Sequence, residues 1–169
     1  GPRHGPRALR DASTMIRAQN GSTGVRPFEL ARCADLGDVG PNPVDGPDTL
    51  ERFEKFYSDI AARKIRPLSA GGDHLCTLPV LRGIARDEPL GLVHFDSHTD
   101  LYPAYFGGKT LTHGNPFRNA VEEGLLDPVR MVQIGIRGTT YDNVDTDFAK
   151  ANGIRIVRIE ELFARGIAD

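Results

Sequence analysis

Short apolar runs alternate with segments of helical periodicity along most of this chain, and that alternation limits its possible folds more than any other feature. Five runs predict strands, at residues 28–35, 65–70, 90–95, 131–136 and 154–159. Apolar residues spaced by three and four predict helices at 49–63, 75–86, 116–124, 145–152 and from 160 onward, the first of them capped by Asp48. The connections are short enough for crossovers between parallel strands, so we expect an α/β fold with a mainly parallel sheet.

Composition and charge exclude several other classes of protein. The chain has 169 residues, of which 39% are hydrophobic and 26% charged, as in an ordinary folded domain. Its net charge of −2, without a block of like charges, argues against nucleic-acid binding, and no apolar run is long enough to span a membrane. Cys33 and Cys76 are too few for a disulfide framework, so we expect a reducing compartment, the cytoplasm.

An Asp-Ser-His-Thr-Asp motif directly follows the apolar run 90–95. In an extended chain Asp96, His98 and Asp100 share one face, which places two carboxylates and an imidazole together. Oxygen and imidazole ligands without thiolates suit Mn²⁺, and less readily zinc or nickel. The alternative is a loop in which Asp100 caps a helix and His98 bonds the backbone.

A second motif, Gly-Gly-Asp-His, ends at His74 and follows the run 65–70. Glycines allow a sharp turn, and ligands of parallel sheets collect at the carboxyl ends of strands, where the first motif also lies. The alternative is an ordinary turn with Asp73 as an N-cap and His74 exposed. Two such clusters at two strand ends favour a metal site.

A third motif, Thr-His-Gly-Asn-Pro-Phe, carries His113 just before a predicted helix. An imidazole ordinarily titrates near neutrality and therefore suits a mobile acid or base there, although without the other two motifs His113 would be interpreted as a capping or loop histidine. His94 shares the strand face of Asp96 and is interpreted as a core histidine or a support to a ligand. We assign no catalytic role to His94 or His4.

Together the three motifs resemble those of the ureohydrolase family of arginases and agmatinases. Residues 5–10 and 35–39 resemble early elements of that family, and residues 117–138 are most similar to its agmatinase and guanidino-acid hydrolase branch. The resemblance implies a three-layer, doubly wound sheet, which this chain leaves incomplete at both ends.

The resemblance also implies a mechanism with two Mn²⁺ ions per complete active site, nickel or zinc being possible replacements. By position, His74 and Asp100 would bind the first metal, His98 the second, and Asp96 both. Hydroxide held by the metals would attack a guanidino carbon, yielding an amine and urea, with His113 as the catalytic proton-transfer residue.

The loop after the metal motif is expected to line the pocket mouth, with Tyr102 and Tyr105 as substrate contacts; the alternative is that both pack beneath the loop. Agmatine, guanidinobutyrate and guanidinopropionate are the candidate substrates. Their tails differ in charge, and Lys109 and Arg118 are charged residues that the sequence does not place.

This chain departs from the family in one respect: the later Ser-x-Asp-x-Asp strand is absent, and Asp142, Asp145 and Asp147 do not replace it. We therefore expect residues 1–169 to be the N-terminal and central part of a single domain, weakly active alone. A homo-oligomer, trimer or hexamer, is implied for the full-length protein. The alternative functions are an inactive binding or assembly subunit on the same fold and an amide deacetylase.

Overall fold

The computed structural model of this chain describes residues 2–85 and 87–166. This part contains seven helices and three strands, which alternate only from α4 onward: α1 Gly5–Ala12, α2 Pro27–Leu30, α3 Gly46–Ala62, α4 Thr77–Ile84, β1 Leu90–Phe95, α5 Pro116–Glu122, β2 Leu126–Ile136, α6 Val144–Asn152, β3 Arg155–Arg158 and α7 Ile159–Arg165. Short 3-10 turns lie at Pro2–His4, Ser13–Met15 and His74–Cys76.

The three strands form one parallel sheet in the order β1-β2-β3. His94 of β1 lies opposite Gln133 of β2, and Ile134 of β2 lies opposite Val157 of β3. Helices connect successive strands, as parallel pairing requires. The structure confirms the predicted α/β class with a parallel sheet.

Two predicted strands are wrong. Residues 28–35 begin inside the single helical turn α2 and continue without regular structure, while residues 65–70 form neither helix nor strand. Their apolar side chains are exposed, Leu30 by 77% and Leu68 by 103%, so no burial favours a pleated surface. Pro67 also lacks the N–H that a ladder needs.

The start of α3 also differs from the prediction. The helix begins at Gly46, and its cap is Asp45, whose side chain accepts a hydrogen bond from the Asp48 backbone N–H at 3.0 Å. Pro47 fits the first turn because its missing N–H would have no partner inside the helix. The prediction placed the cap at Asp48 because it began the helix where the apolar spacing began.

The core lies between the sheet and helices α4, α5 and α6. Its buried members are Leu78, Leu81, Leu101, Phe117, Ala120, Leu126, Met131, Ala149 and Ile154. Phe117, 1% exposed, reaches from α5 towards the end of β1, where the polar motifs begin. Within the described residues, no helix is both long and apolar enough to cross a membrane.

Candidate metal centre

The carboxyl end of β1 delivers the Asp-Ser-His-Thr-Asp motif to the sheet edge. Backbone bonds hold this loop against β2: Asp96 donates to Ile134 and Arg137 donates to Ser97, at 3.1 and 2.9 Å. Gly135 permits this approach, because a Cβ there would lie 3.2 Å from the Asp96 carbonyl and its φ is +94°. The loop is therefore fixed by β2 as well as by β1.

The two oxygens of the Asp96 carboxylate have different surroundings. Oδ1 accepts the backbone N–H groups of Ser97 and His98 at 2.6 and 3.0 Å. Oδ2 instead faces imidazole nitrogens, with His74 Nδ1 at 3.7 Å and His94 Nε2 at 3.4 Å. One oxygen thus anchors the side chain, and the other is presented to the site.

His74 and Asp100 provide the next two polar groups of the site, beside Asp96 Oδ2. His74 begins the 3-10 turn after Gly-Gly-Asp, whose Asp73 side chain accepts from Leu75 N, as the N-cap alternative expected. His74 is nevertheless half-buried, and its Nδ1 lies 2.6 Å from Oδ2 of the buried Asp100. Asp100 has a φ of +52°, a conformation rarely adopted by non-glycine residues except Asn and Asp.

The charges of this cluster perturb one another. The hydrogen bond to Asp100 raises the pKa of His74 against the opposing effect of burial. Burial raises the pKa of Asp96, but the His98 and Ser97 backbone N–H groups and the nearby imidazoles outweigh it, so its pKa is lowered. Burial lowers the pKa of His94. The site therefore favours the ionised form of the Asp96 carboxylate.

Four side chains together could hold a metal ion: His74, His94, Asp96 and Asp100 each offer one atom, all within 4.8 Å of one another. Two imidazoles and two carboxylates without a thiolate fit a divalent ion such as Mn²⁺. Phe117 packs against both imidazole rings, at 5.3 Å from His74 and 4.5 Å from His94, and provides an apolar wall. These residues thus fit a metal.

His94, which the sequence indicates to be a core histidine or a support to a ligand, is 6% exposed and lies inside this cluster. Its place on the strand face of Asp96 was the available signal. The contact between its ring and Gln133 could not be predicted from the local sequence, because Gln133 belongs to a different strand.

His98 and His113 lie outside the four-residue cluster. The His98 side chain is 74% exposed, with Nδ1 3.1 Å from Ser97 Oγ and 3.8 Å from Asp96 Oδ1. His113 is exposed on the loop before α5 and stacks beside Tyr105, with ring centroids 6.2 Å apart. Their assigned roles remain predictions.

An aromatic wall stands beside this loop, formed by Tyr102, Tyr105, Phe106 and Tyr141. Tyr102 is buried, and its hydroxyl donates to the Asp142 carbonyl at 3.2 Å. Tyr105 is half-buried, and burial raises its pKa to about 12. The wall and Asp142 line a shallow cleft.

A buried hydrogen bond connects the Asp-Ser-His-Thr-Asp motif to α6. The Thr99 hydroxyl donates to Oδ2 of Asp145 at 2.6 Å, and both residues are almost fully buried. Asp145 belongs to the first turn of α6, so this bond ties the metal motif to a helix beyond β2. No local sequence pattern predicts this contact of Asp145.

The fold and site are those of an α/β protein with a carboxylate–imidazole cluster that could hold a metal ion at the carboxyl edge of its sheet. The Arginase family model matches residues 1–169, and the chain belongs to the arginase family. This confirms the resemblance that the three motifs predicted.

The chain is similar to several curated amidinohydrolases. It is 50% identical over 167 residues to guanidinopropionase of Pseudomonas aeruginosa, covering 99% of this chain and 52% of that protein. It is 43% identical over 168 residues to mitochondrial agmatinase of Gallus gallus, covering 99% and 49%. The chain thus spans about half the length of these relatives.

A solved structure shows the same fold. Proclavaminate amidinohydrolase from Streptomyces clavuligerus superposes with a TM-score of 0.88 at 36% identity, covering 99% of this chain and 56% of that one. The predicted arginase-like architecture is therefore confirmed for the part of the domain present here.

Proposed function

We propose that this chain contributes half of the active site of a manganese-dependent amidinohydrolase, which cleaves a linear guanidino compound to an amine and urea. The observation that carries the proposal is the convergence of His74 Nδ1 with Asp100 Oδ2 at 2.6 Å and Asp96 Oδ2 at 3.7 Å. Three potential ligand atoms from two separate loops meet at the edge of the sheet where parallel folds bind ligands.

The residues that would hold the metals are His74 and Asp100 for one ion, His98 for a second, and Asp96 for both. Bound Mn²⁺ would supply Lewis acidity and an activated water at neutral pH, which a resonance-stabilised guanidinium requires. Because the chain spans about half of its relatives, we propose that further carboxylate ligands belong to the rest of a single α/β domain.

The chain's own acidic residues also suit a cationic substrate. Asp96 and Asp100 supply carboxylates that offset part of the charge of two divalent ions, which reduces the repulsion of a guanidinium bound beside them. Phe117 packs against His74 and His94 and shields that side of the site from water, which strengthens these interactions.

His113 is proposed to provide the proton that the leaving amine needs. As water adds to the guanidino carbon and the C–N bond breaks, the amine nitrogen takes a proton from the imidazolium. Its exposed position beside Tyr105 allows the ring to exchange protons with solvent. Such proton transfer contributes about 100-fold or more in rate.

The aromatic wall is proposed to contact the substrate tail, with Tyr105 the more accessible contact and Tyr102 supporting it from beneath. The curated relatives include guanidinopropionase, agmatinase and guanidinobutyrase, so guanidinopropionate, agmatine and guanidinobutyrate are the substrates to test. The family resemblance further supports a cytoplasmic homo-oligomer, a trimer or hexamer, whose partner is the small substrate.

The test is urea release by the complete manganese-loaded protein on these three compounds and on arginine, with Asp96→Ala as the inactive control. Urea from one substrate, lost in the variant, is the expected result. Absence of urea from all four despite bound Mn²⁺ would favour the binding or assembly role. Acetate release from acetylated amines, in place of urea, would indicate an amide deacetylase.

A further inference from the structure

The hydrogen-bonding of Gln133 fixes the protonation of a buried histidine. His94 on β1 and Gln133 on β2 are paired in the register of the parallel sheet, and both are almost fully buried. Gln133 Nε2 lies 2.6 Å from the Thr99 carbonyl oxygen and 3.1 Å from His94 Nδ1. This one nitrogen therefore contacts both groups.

The Thr99 carbonyl determines which way the amide points. A carbonyl oxygen only accepts, so the atom at 2.6 Å must be the NH₂ group of Gln133 and not its oxygen. One amide hydrogen goes to Thr99, and the other is directed at His94 Nδ1. A proton on Nδ1 would set donor against donor, so Nδ1 accepts and the ring carries its hydrogen on Nε2.

With its hydrogen on Nε2, His94 is not a metal ligand, and Nε2 is a hydrogen-bond donor. A protonated Nε2 has no lone pair for a metal. Among the described residues it has no well-aligned hydrogen-bond partner, and it faces Asp96 Oδ2 at 3.4 Å. Oδ2 is the oxygen that Asp96 presents to the site, since Oδ1 is held by two backbone N–H groups.

We propose that His94, held in its Nε2-protonated form by Gln133, is a positioning residue that orients the Asp96 carboxylate for metal binding and is not itself a metal ligand. The inference rests on the proposed function, because it concerns the same site. Phe117, with its ring centroid 4.5 Å from that of His94, restricts the imidazole to this orientation. Replacing a group that orients a metal ligand in this way typically weakens metal binding by about 10- to 100-fold.

Two matched substitutions separate the two ring nitrogens. In His94→Gln the longer amide places an N–H near the position of Nε2 and retains the donor towards Asp96. In His94→Asn the shorter amide reaches only the position of Nδ1 and keeps a contact to Gln133. Mn²⁺ affinity of the complete protein is measured from the signal of free Mn²⁺ in electron paramagnetic resonance, with thermal unfolding as the folding control.

We expect His94→Gln to bind Mn²⁺ within about threefold of the wild type and His94→Asn to bind it about 10- to 100-fold more weakly, at unchanged stoichiometry. Equal losses in both variants, loss of one ion per chain in both, or no loss in either would overturn the inference. If both variants fail to fold, Gln133→Met provides the test. Methionine removes the amide nitrogen that contacts His94, and the loss of Gln133 Oε1 breaks no hydrogen bond among the described residues. Weaker Mn²⁺ binding in Gln133→Met supports the inference, and unchanged binding contradicts it.

The readout also separates this inference from the proposed function. A difference between the Gln and Asn variants supports the positioning role even where no urea is released. Urea release with Mn²⁺ affinity equal in both variants would contradict the positioning role alone, whereas a wild-type protein without Mn²⁺ affinity would contradict both.

Discussion

Oδ2 of Asp100 lies 2.6 Å from Nδ1 of His74, although the two residues come from different loops. Asp100 is 6% exposed and holds a left-handed backbone conformation, so its carboxylate is fixed in place by the fold. A buried carboxylate and an imidazole meeting at a sheet edge form a site that suits a divalent cation.

Asp100→Asn tests that relationship. The amide keeps the shape of the side chain but removes its charge, so we expect Mn²⁺ affinity of the complete protein to fall at least about tenfold and urea release to fall with it. Asp59→Asn is the matched control, because Asp59 is exposed on α3 and pairs only with Lys55 among the described residues. Equal affinity in both variants would contradict the assignment of Asp100.

Thr99→Val tests the bond that supports the motif from α6. Losing the hydroxyl leaves the buried Asp145 carboxylate with one fewer donor, which we expect to lower the free energy of unfolding by about 1.5 to 3 kcal/mol. Thr99→Ser keeps the hydroxyl and should retain most of the stability. Denaturant unfolding at one fixed protein concentration measures both, and a Val variant as stable as the Ser variant would show that the bond contributes little.

Gly83→Ala tests the contact between α3 and α4. Alanine usually stabilises a helix interior by about 1 kcal/mol relative to glycine. Here a Cβ would lie 2.6 Å from Tyr57 Cβ and 2.9 Å from the Ser58 backbone nitrogen. We therefore expect Gly83→Ala to lower the free energy of unfolding by about 1 to 3 kcal/mol instead. Gly21→Ala, which meets nothing within 4 Å, should change the unfolding temperature little. A higher free energy of unfolding for Gly83→Ala would show that α3 and α4 leave room for the added methyl group.

The two cysteines should differ in reactivity. Burial, and then the negative charge of Asp73, raises the pKa of the Cys76 thiol, whereas Cys33 is exposed. A raised pKa means that the reactive thiolate of Cys76 forms only at higher pH, so iodoacetamide at pH 8 should label Cys33 at least about tenfold faster. The ratio should narrow as pH rises, and both should react alike in denaturant. Peptide mass spectrometry measures the rates, and faster labelling of Cys76 would contradict the assigned burial.

The sequence predicted most reliably the elements that pair within the sheet or pack on it, although Val93 and Phe95 of β1 are 64% and 75% exposed. Strand β1 matches its predicted bounds because the whole run 90–95 belongs to the sheet, and α5 begins at Pro116 as expected. The run 65–70 was misassigned because hydrophobic composition does not reveal whether a neighbouring strand exists to pair with it. Strand β2 begins at Leu126, earlier than the predicted start at 131. The prediction missed its first half because Pro128 and charged residues interrupt the apolar run there.

The candidate site was predicted in part for a similar reason. Asp96 and Asp100 follow one strand, so the local sequence places them near each other. The expectation for His74 depended on a strand at 65–70, and the structure has no strand there. The bonds of His94 to Gln133 and of Thr99 to Asp145 depend on strand register and on the placement of α6. Nothing in the local pattern specifies those long-range contacts.

If His74, Asp96 and Asp100 bind the catalytic metal, a crystal structure of the complete manganese-loaded protein will show the ion between them. Anomalous difference density at the manganese absorption edge locates the ions independently of any assumed ligand. We expect a peak bound by His74 Nδ1, Asp96 Oδ2 and Asp100 Oδ2, with His94 Nε2 directed at Asp96. Absence of manganese between His74, Asp96 and Asp100, or an ion bound directly by His94 Nε2, would contradict these assignments.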